Sequence, residues 1–173
     1  MNKKYFFFDI DGTLTDNKTH KIVPSAKRTL DQLKANGHFV SIATGRAHYK
    51  AISFTEKIDI HNIVCNGGGC IVIDDQVVDL QPIPLKESIH ILEQADQNHV
   101  GWLLALNDDD AVIMKDYRFL ETAGLRKELT TYLYDPALDY HTLPSIMKMY
   151  LAYTKEDEKN YPWINAVGRL RMF

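Results

Sequence analysis

No stretch of this 173-residue chain is long and apolar enough to span a bilayer as a helix. There is no block of lysine and arginine either. Twenty basic against 23 acidic side chains leave a formal net charge of -3, which speaks against nucleic acid or an anionic membrane as a partner. Cysteine is scarce. The two present, Cys65 and Cys70, flank Asn66-Gly67-Gly68-Gly69 with no further cysteine or histidine at ligand spacing, so they read as buried thiols and not as a zinc site. No Gly-x-x-x-x-Gly-Lys occurs, which excludes a P-loop. Internal repeats and low-complexity segments are absent. The start, Met1-Asn2-Lys3-Lys4-Tyr5, sets two lysines before an apolar run. That run is too short for a secretory signal, and Asp9 and Asp11 interrupt it, so the expected location is the cytoplasm. What remains is 45% apolar and 25% charged, an ordinary globular composition with room for one domain or two small ones.

Against that background one segment stands out: Phe6-Phe7-Phe8-Asp9-Ile10-Asp11-Gly12-Thr13-Leu14-Thr15. An aromatic run, read as a buried strand over residues 4–8, stops at two carboxylates one residue apart. Carboxylates at the end of such a strand lie at the carboxyl edge of a sheet, where open α/β sheets bind ligands. Side by side they repel unless a cation lies between them, and their hard oxygens suit magnesium. One of them can also act as a nucleophile toward phosphorus. The competing reading is a simple Asp-Gly turn. The rest of the chain favours the ligand site.

Pro24-Ser25 signals a helix start; Ala26, Leu30 and Leu33 share one face, and Gly37 ends the helix. Phe39 to Ala43 is a second apolar strand, ending at Thr44-Gly45-Arg46. A helix is expected over about residues 47–57. Asn62 to Cys65 is a third strand, ending at Asn66-Gly67-Gly68-Gly69. Strand–helix–strand–helix–strand at this spacing makes right-handed βαβ units and a parallel sheet, so the three loops meet at one edge. Asp74-Asp75-Gln76 between two apolar runs reads as a hairpin turn.

The texture changes at Pro82-Ile83-Pro84, read as a boundary between domains 1–82 and 83–173. Beyond it the pattern predicts a helix over about 85–97, strands over 100–106 and 111–115, and a mixed helical stretch over 117–133. A strand over 146–153 and a helix over about 155–167 complete an α+β unit with a half-exposed antiparallel sheet. The acidic run Asn107-Asp108-Asp109-Asp110 reads as a hairpin turn, since no glycine or spaced ligand follows as in a calcium loop. Trp102, Tyr117 and Arg118 invite a specificity role, but packing is the simpler account.

Phe8-Asp9-Ile10-Asp11-Gly12-Thr13-Leu14, Ile42-Ala43-Thr44-Gly45-Arg46 and Asn66-Gly67-Gly68, in that order, resemble the motifs of the haloacid dehalogenase-like superfamily. The likeness is greatest to its Cof-type phosphatases, which carry an inserted α+β cap. The resemblance implies an α/β fold: a partial Rossmann-like parallel-sheet core with a second, smaller α+β cap domain. It implies a magnesium-dependent phosphohydrolase acting on small phosphorylated metabolites, such as sugar phosphates or phosphorylated cofactors. By the same resemblance Asp9 attacks phosphorus and becomes an aspartyl-phosphate. Asp11 protonates the leaving oxygen and then activates water. Asp9, with the backbone carbonyl of Asp11, holds Mg2+. Gly12, Thr13, Thr44, Gly45, Arg46, Asn66 and Gly67 line the phosphate and substrate, and the cap closes over the site and selects the substrate.

Two motifs that family members carry after the cap are missing: a lysine, and a Gly-Asp followed by a further Asp. The chain contains no Gly-Asp dipeptide, and it stops at Arg169-Leu170-Arg171-Met172-Phe173, which reads as the start of a strand. Only the first half of the core and nearly all of the cap are then expected. Magnesium affinity and rate should suffer, and the alternative is a remnant that binds phosphate or magnesium without turnover. The strand of residues 4–8 is also expected to form an apolar edge, open to self-association.

Overall fold

The structure is a computed structural model and describes residues 2–127 and 129–167. The expected strand start at 169–173 lies outside the described residues. The chain divides into two compact units, Met1–Gln81 and Pro82–Phe173.

The first unit is an α/β sheet. Its strands are β1 (Tyr5–Phe8), β2 (Phe39–Ala43), β3 (Ile63–Cys65), β4 (Cys70–Ile73) and β5 (Gln76–Leu80), arranged in that order across the sheet. β1, β2 and β3 run parallel, and β4 and β5 form an antiparallel hairpin at the far side. α1 (Pro24–Ala35) and α2 (His48–Thr55) make the crossovers. α1 starts on a proline that has no N–H to lose. It ends where Gly37 takes φ +74° and its N–H closes on the Lys34 carbonyl at 2.9 Å. α2 is shorter than the sequence suggests. One tight turn, Glu56–Ile58, follows it, and Asp59 at φ +56° ends the helical path. The core gathers Ile10, Leu14, Leu30, Val40, Ile42, Ala51, Ile58, Ile63 and Val72 with the reduced, buried Cys65 and Cys70.

Burial along β1 corrects the expectation of a fully buried strand. Among the described residues β1 pairs with β2 alone and forms the sheet edge. Phe6 and Phe8 are half-buried, but Tyr5 and Phe7 on the other face are 65% and 57% exposed. Phe39 lies 5.4 Å from Tyr5 and 6.1 Å from Phe7, ring centre to ring centre, so the three rings form one apolar face.

At the opposite side, Asp74 and Asp75 turn the hairpin with φ of +48° and +64°. His61 ties this turn down: its Nδ1 lies 2.7 Å from Asp75 Oδ2 and its Nε2 3.1 Å from Asp59 Oδ1. Lys34 Nζ reaches the same Asp59 carboxylate at 2.8 Å. The Asp75 hydrogen bond, helped by Asp59, raises the His61 pKa above its ordinary value. A raised pKa means that this contact stabilises fully below the unfolded imidazole pKa and is lost as pH climbs through the folded one. Proton NMR is expected to find the His61 midpoint above that of a free histidine, and Asp75→Asn is expected to lower it. An unchanged midpoint in Asp75→Asn would exclude the contact.

The second unit comprises α3 (Leu85–Gln97), β6 (Gly101–Ala105), β7 (Ala111–Met114), α4 (Arg118–Ala123), β8 (Thr131–Tyr134), β9 (Lys148–Ala152), α5 (Lys155–Asn160) and α6 (Pro162–Val167). Its sheet runs β8-β7-β6-β9, with β6 buried along its whole length. Trp102 and Leu104 on one face of β6 pack with Leu92, Ala95 and Met149. Leu103 and Ala105 on the other face pack with Val112, Met114 and Phe119. Asp96 on α3 accepts from Trp102 Nε1 at 3.0 Å and from Arg118 Nη2 at 2.7 Å, so Trp102 and Arg118 serve packing and tethering.

Three expectations change here. The sheet is mixed, because β8 runs parallel to β7. The stretch expected to be helical over 117–133 holds only the short α4, and its end is β8. The last helix is two: α5, started by a capping box at Thr154, stops at Tyr161, since the residue before a proline disfavours helix. The acidic run before β7 is a turn, in which Asp109 accepts from Ala111 N–H at 2.9 Å and Asp110 from Thr131 Oγ1 at 3.1 Å.

Candidate active site

β1 delivers Asp9 in extended conformation, and the chain then makes a wide turn through Ile10–Leu14. Ile10 and Leu14 anchor that turn in the core at 0% and 3% exposure, while Asp9, Asp11, Gly12 and Thr13 stay exposed. The Thr15 N–H and hydroxyl both donate to the Ile10 carbonyl, at 3.0 and 2.9 Å. Gly12 sits at φ +77°, a conformation that favours glycine.

The second loop leaves β2 at Thr44, which is buried. Thr44 N–H donates to the Val64 carbonyl at 2.9 Å, and Thr44 Oγ1 accepts from Arg46 N–H at 3.2 Å. The third loop leaves β3 at Asn66. Its N–H donates to the Arg46 carbonyl at 2.8 Å, and the Gly67 N–H donates to the Thr44 carbonyl at 3.3 Å. Asn66, Gly67 and Gly68 take φ of +52°, +64° and +106° in succession, a tight reversal into β4. The second and third loops are thus joined backbone to backbone.

Arg46 closes the set. Its Nε and Nη2 grip the two Asp11 carboxylate oxygens at 3.0 and 2.6 Å, joining the first loop to the second. The guanidinium hydrogen bond, aided by the Arg46 charge and the more distant His20 and opposed by burial, holds the Asp11 carboxyl below the usual carboxylate range. The motif spacing suggests Arg46 near a substrate. It does not reveal that Arg46 pairs with Asp11, because that contact spans 35 positions. Complementary charge at the ends of two convergent loops was the available signal.

No group of three or more Asp, Glu, His or Cys able to hold a metal occurs among the described residues. Magnesium does not need one. It keeps several waters and is commonly bound through one or two carboxylates together with substrate phosphate oxygens. The hard, exposed oxygens of the Asp9 carboxylate at the sheet edge fit a hydrated magnesium ion, while those of the Asp11 carboxylate are held by Arg46.

Comparison with known proteins decides the family. A family model of haloacid dehalogenase-like hydrolases matches residues 6–162. The chain belongs to that family. Relatives include YkrA of Bacillus subtilis strain 168, named as a phosphatase and 32% identical over 162 residues, which covers 93% of this chain and 62% of that protein. A hypothetical protein of Geobacillus kaustophilus shares the fold at TM-score 0.71 and 25% identity, covering 96% of this chain and 63% of the other. BT1666, a phosphatase of this superfamily from Bacteroides thetaiotaomicron, matches at TM-score 0.73 and 21% identity over 94% and 60%. The chain spans about three-fifths of the length of these relatives.

Proposed function

We propose that this chain carries the nucleophile-bearing part of a magnesium-dependent phosphohydrolase for small phosphorylated metabolites, working in the cytoplasm. The observation that supports it is the junction of three loops at the carboxyl edge of β1, β2 and β3, with Asp9 and Asp11 exposed and Arg46 clamped on Asp11. No helix among the described residues is long and apolar enough to cross a membrane.

In the first step an Asp9 carboxylate oxygen forms a bond to phosphorus and the bond to the leaving oxygen breaks. Asp11, once Arg46 has turned from it to the phosphoryl group, takes up a proton from solvent and gives it to that oxygen. In the second step water attacks the aspartyl-phosphate and passes a proton to Asp11, releasing phosphate and the Asp9 carboxylate. Thr44, whose oxygen accepts from the chain at Arg46, has its hydroxyl hydrogen to offer a phosphoryl oxygen. Gly67 and Asn66 bring backbone to the same loop edge, beside Gly45. The Asp9 carboxylate and the Asp11 carbonyl would hold magnesium, which supplies positive charge against the phosphoryl group.

Arg46 meets substrate by exchanging one oxyanion for another, since a phosphoryl group presents the same paired acceptors as the Asp11 carboxylate. Arg46→Ala is expected to raise KM for an aryl phosphate, and to weaken inhibition by inorganic phosphate, by roughly tenfold each. Unchanged values would remove Arg46 from the phosphate site.

Self-association through β1 belongs to the same reading. β1 is an edge strand among the described residues with Tyr5 and Phe7 exposed, and an open edge of this kind is a template for pairing with another chain. Light scattering at rising concentration is expected to report a dimer that Phe7→Lys converts to monomer. A monomer at all concentrations would end that part of the proposal.

Hydrolysis of para-nitrophenyl phosphate with and without added magnesium tests the activity. Turnover that requires magnesium supports the proposal, and absence of turnover in both conditions overturns it.

A further inference from the structure

Cys65 and Cys70 take no part in the phosphoryl chemistry, yet they stand at the two ends of the third loop. Cys65 is the last residue of β3 and Cys70 the first of β4, and the two face each other in the antiparallel ladder. Residues directly opposite in such a ladder project to the same side of the sheet, with Cα atoms about 4.5–5.5 Å apart, inside the range that a disulfide bridges. Both side chains are 0% exposed and belong to one core cluster with Ile42, Ile63 and Val72, and both are reduced. Only Asn66-Gly67-Gly68-Gly69 runs between them. Gly67 and Gly68 are exposed, and nothing stands within 4 Å of a Cβ at either. Asn66 holds a left-handed φ of +52° without the freedom of glycine. Exposed, strained and without packed side chains at its tip, this loop is where the first unit opens to bring the thiols to solvent.

We propose that Cys65 and Cys70 form a reversible redox pair, oxidised by a low-molecular-weight disulfide, whose closure reshapes the loop of residues 66–69 and weakens phosphate binding at the three-loop junction. One cysteine thiolate attacks a sulfur of the small disulfide, forms a mixed disulfide and releases one thiol. The thiolate of the other cysteine attacks the protein-bound sulfur, closes the Cys65–Cys70 bond and releases the second thiol. Two electrons and two protons pass from the pair to the small disulfide. Opposed Cβ atoms stand about 4.5–5.5 Å apart in a ladder, against about 3.8 Å across a disulfide, so the two strand ends draw together. That pull acts on the Asn66 and Gly67 N–H groups, which donate to the Arg46 and Thr44 carbonyls at 2.8 and 3.3 Å. The bond therefore displaces residues assigned above to the phosphate, and this last effect rests on the phosphohydrolase reading. Disulfides in reducing compartments are typically transient ones of this kind.

The test exposes the full chain to oxidised glutathione under native conditions and follows it by intact mass, peptide mapping and amide NMR. Expected are a loss of two hydrogen masses, a Cys65–Cys70 cross-link within one chain, and its reversal by dithiothreitol. The amides of Thr44, Arg46, Asn66 and Gly67 are expected to shift while native dispersion is kept. Affinity for inorganic phosphate is expected to fall by roughly fivefold or more on oxidation. Thiols that stay reduced, a link that forms only between chains or only with loss of native dispersion, or a native link that leaves phosphate affinity unchanged overturns the proposal. A reduced chain that binds no phosphate counts instead against the phosphohydrolase reading, and the cross-link and the amide shifts then decide the redox pair by themselves.

Discussion

Asp9→Asn is expected to lower kcat for aryl phosphate hydrolysis by a factor on the order of 10^4 and to leave stability within about 0.5 kcal/mol. The two halves of that result come from different facts. The carboxylate oxygen is the attacking atom, and an amide oxygen in its place has neither the charge nor the nucleophilicity to replace the leaving group at phosphorus. Asp9 is exposed at the end of β1, and the turn behind it is held by Ile10, Leu14 and Thr15. Loss of one negative charge next to Asp11 does not disturb those contacts. Activity assay and thermal unfolding on the same preparation separate the two effects. A variant that keeps its rate would move the nucleophile elsewhere. One that loses rate and fold together would make Asp9 structural.

The largest effect on stability is expected from Gly101→Ala. Gly101 opens β6 at the buried centre of the second unit's sheet. A Cβ added there would lie 2.2 Å from Phe119 N and 2.5 Å from both Arg118 C and Phe119 Cα. All three are backbone atoms of α4, so no side chain can swing aside. α4 must back away, and with it Phe119, which fills the cluster of Leu103, Val112 and Met114. Overpacking of this kind costs about 3 kcal/mol, equivalent to a fall of roughly 12–24 °C in the thermal midpoint of the affected unit. Gly124→Ala provides the contrast. Nothing stands within 4 Å of a Cβ at Gly124, and the cost there is that of backbone strain alone, since φ +71° with ψ −171° is essentially reserved to glycine, about 1–3 kcal/mol. A Gly101→Ala midpoint equal to that of the parent chain would mean that α4 does not lie against β6.

Much of the first unit was legible because its signals are local. Pro24 and Gly37 bracket α1, the apolar runs of β2 and β3 stop at polar loops, and Asp74-Asp75 turns the hairpin. The convergence of the three loops also followed, since parallel strands joined by right-handed crossovers end at one edge. What escaped depends on contacts remote in sequence. The pairing of Arg46 with Asp11 and the binding of His61 to the Asp75 turn join segments with no shared local pattern. β8 was missed for a related reason. Thr131–Tyr134 carries aromatic and apolar residues at every other or adjacent position, and only its parallel pairing with β7 makes it a strand. In β1 four apolar residues suggested burial on both faces, but the outer face of the edge leaves Tyr5 and Phe7 to solvent.

The central claim is that a phosphoryl group passes through Asp9. Mixing the chain with magnesium and an aryl phosphate, quenching in acid at early times and mapping the peptides by mass spectrometry tests it directly. The account predicts one phosphoryl group on Asp9, formed at the rate of the first step and absent in Asp9→Asn. Turnover with no phosphorylated peptide, in an Asp11→Asn variant chosen to slow the second step, or a phosphoryl group on a residue other than Asp9, would contradict it.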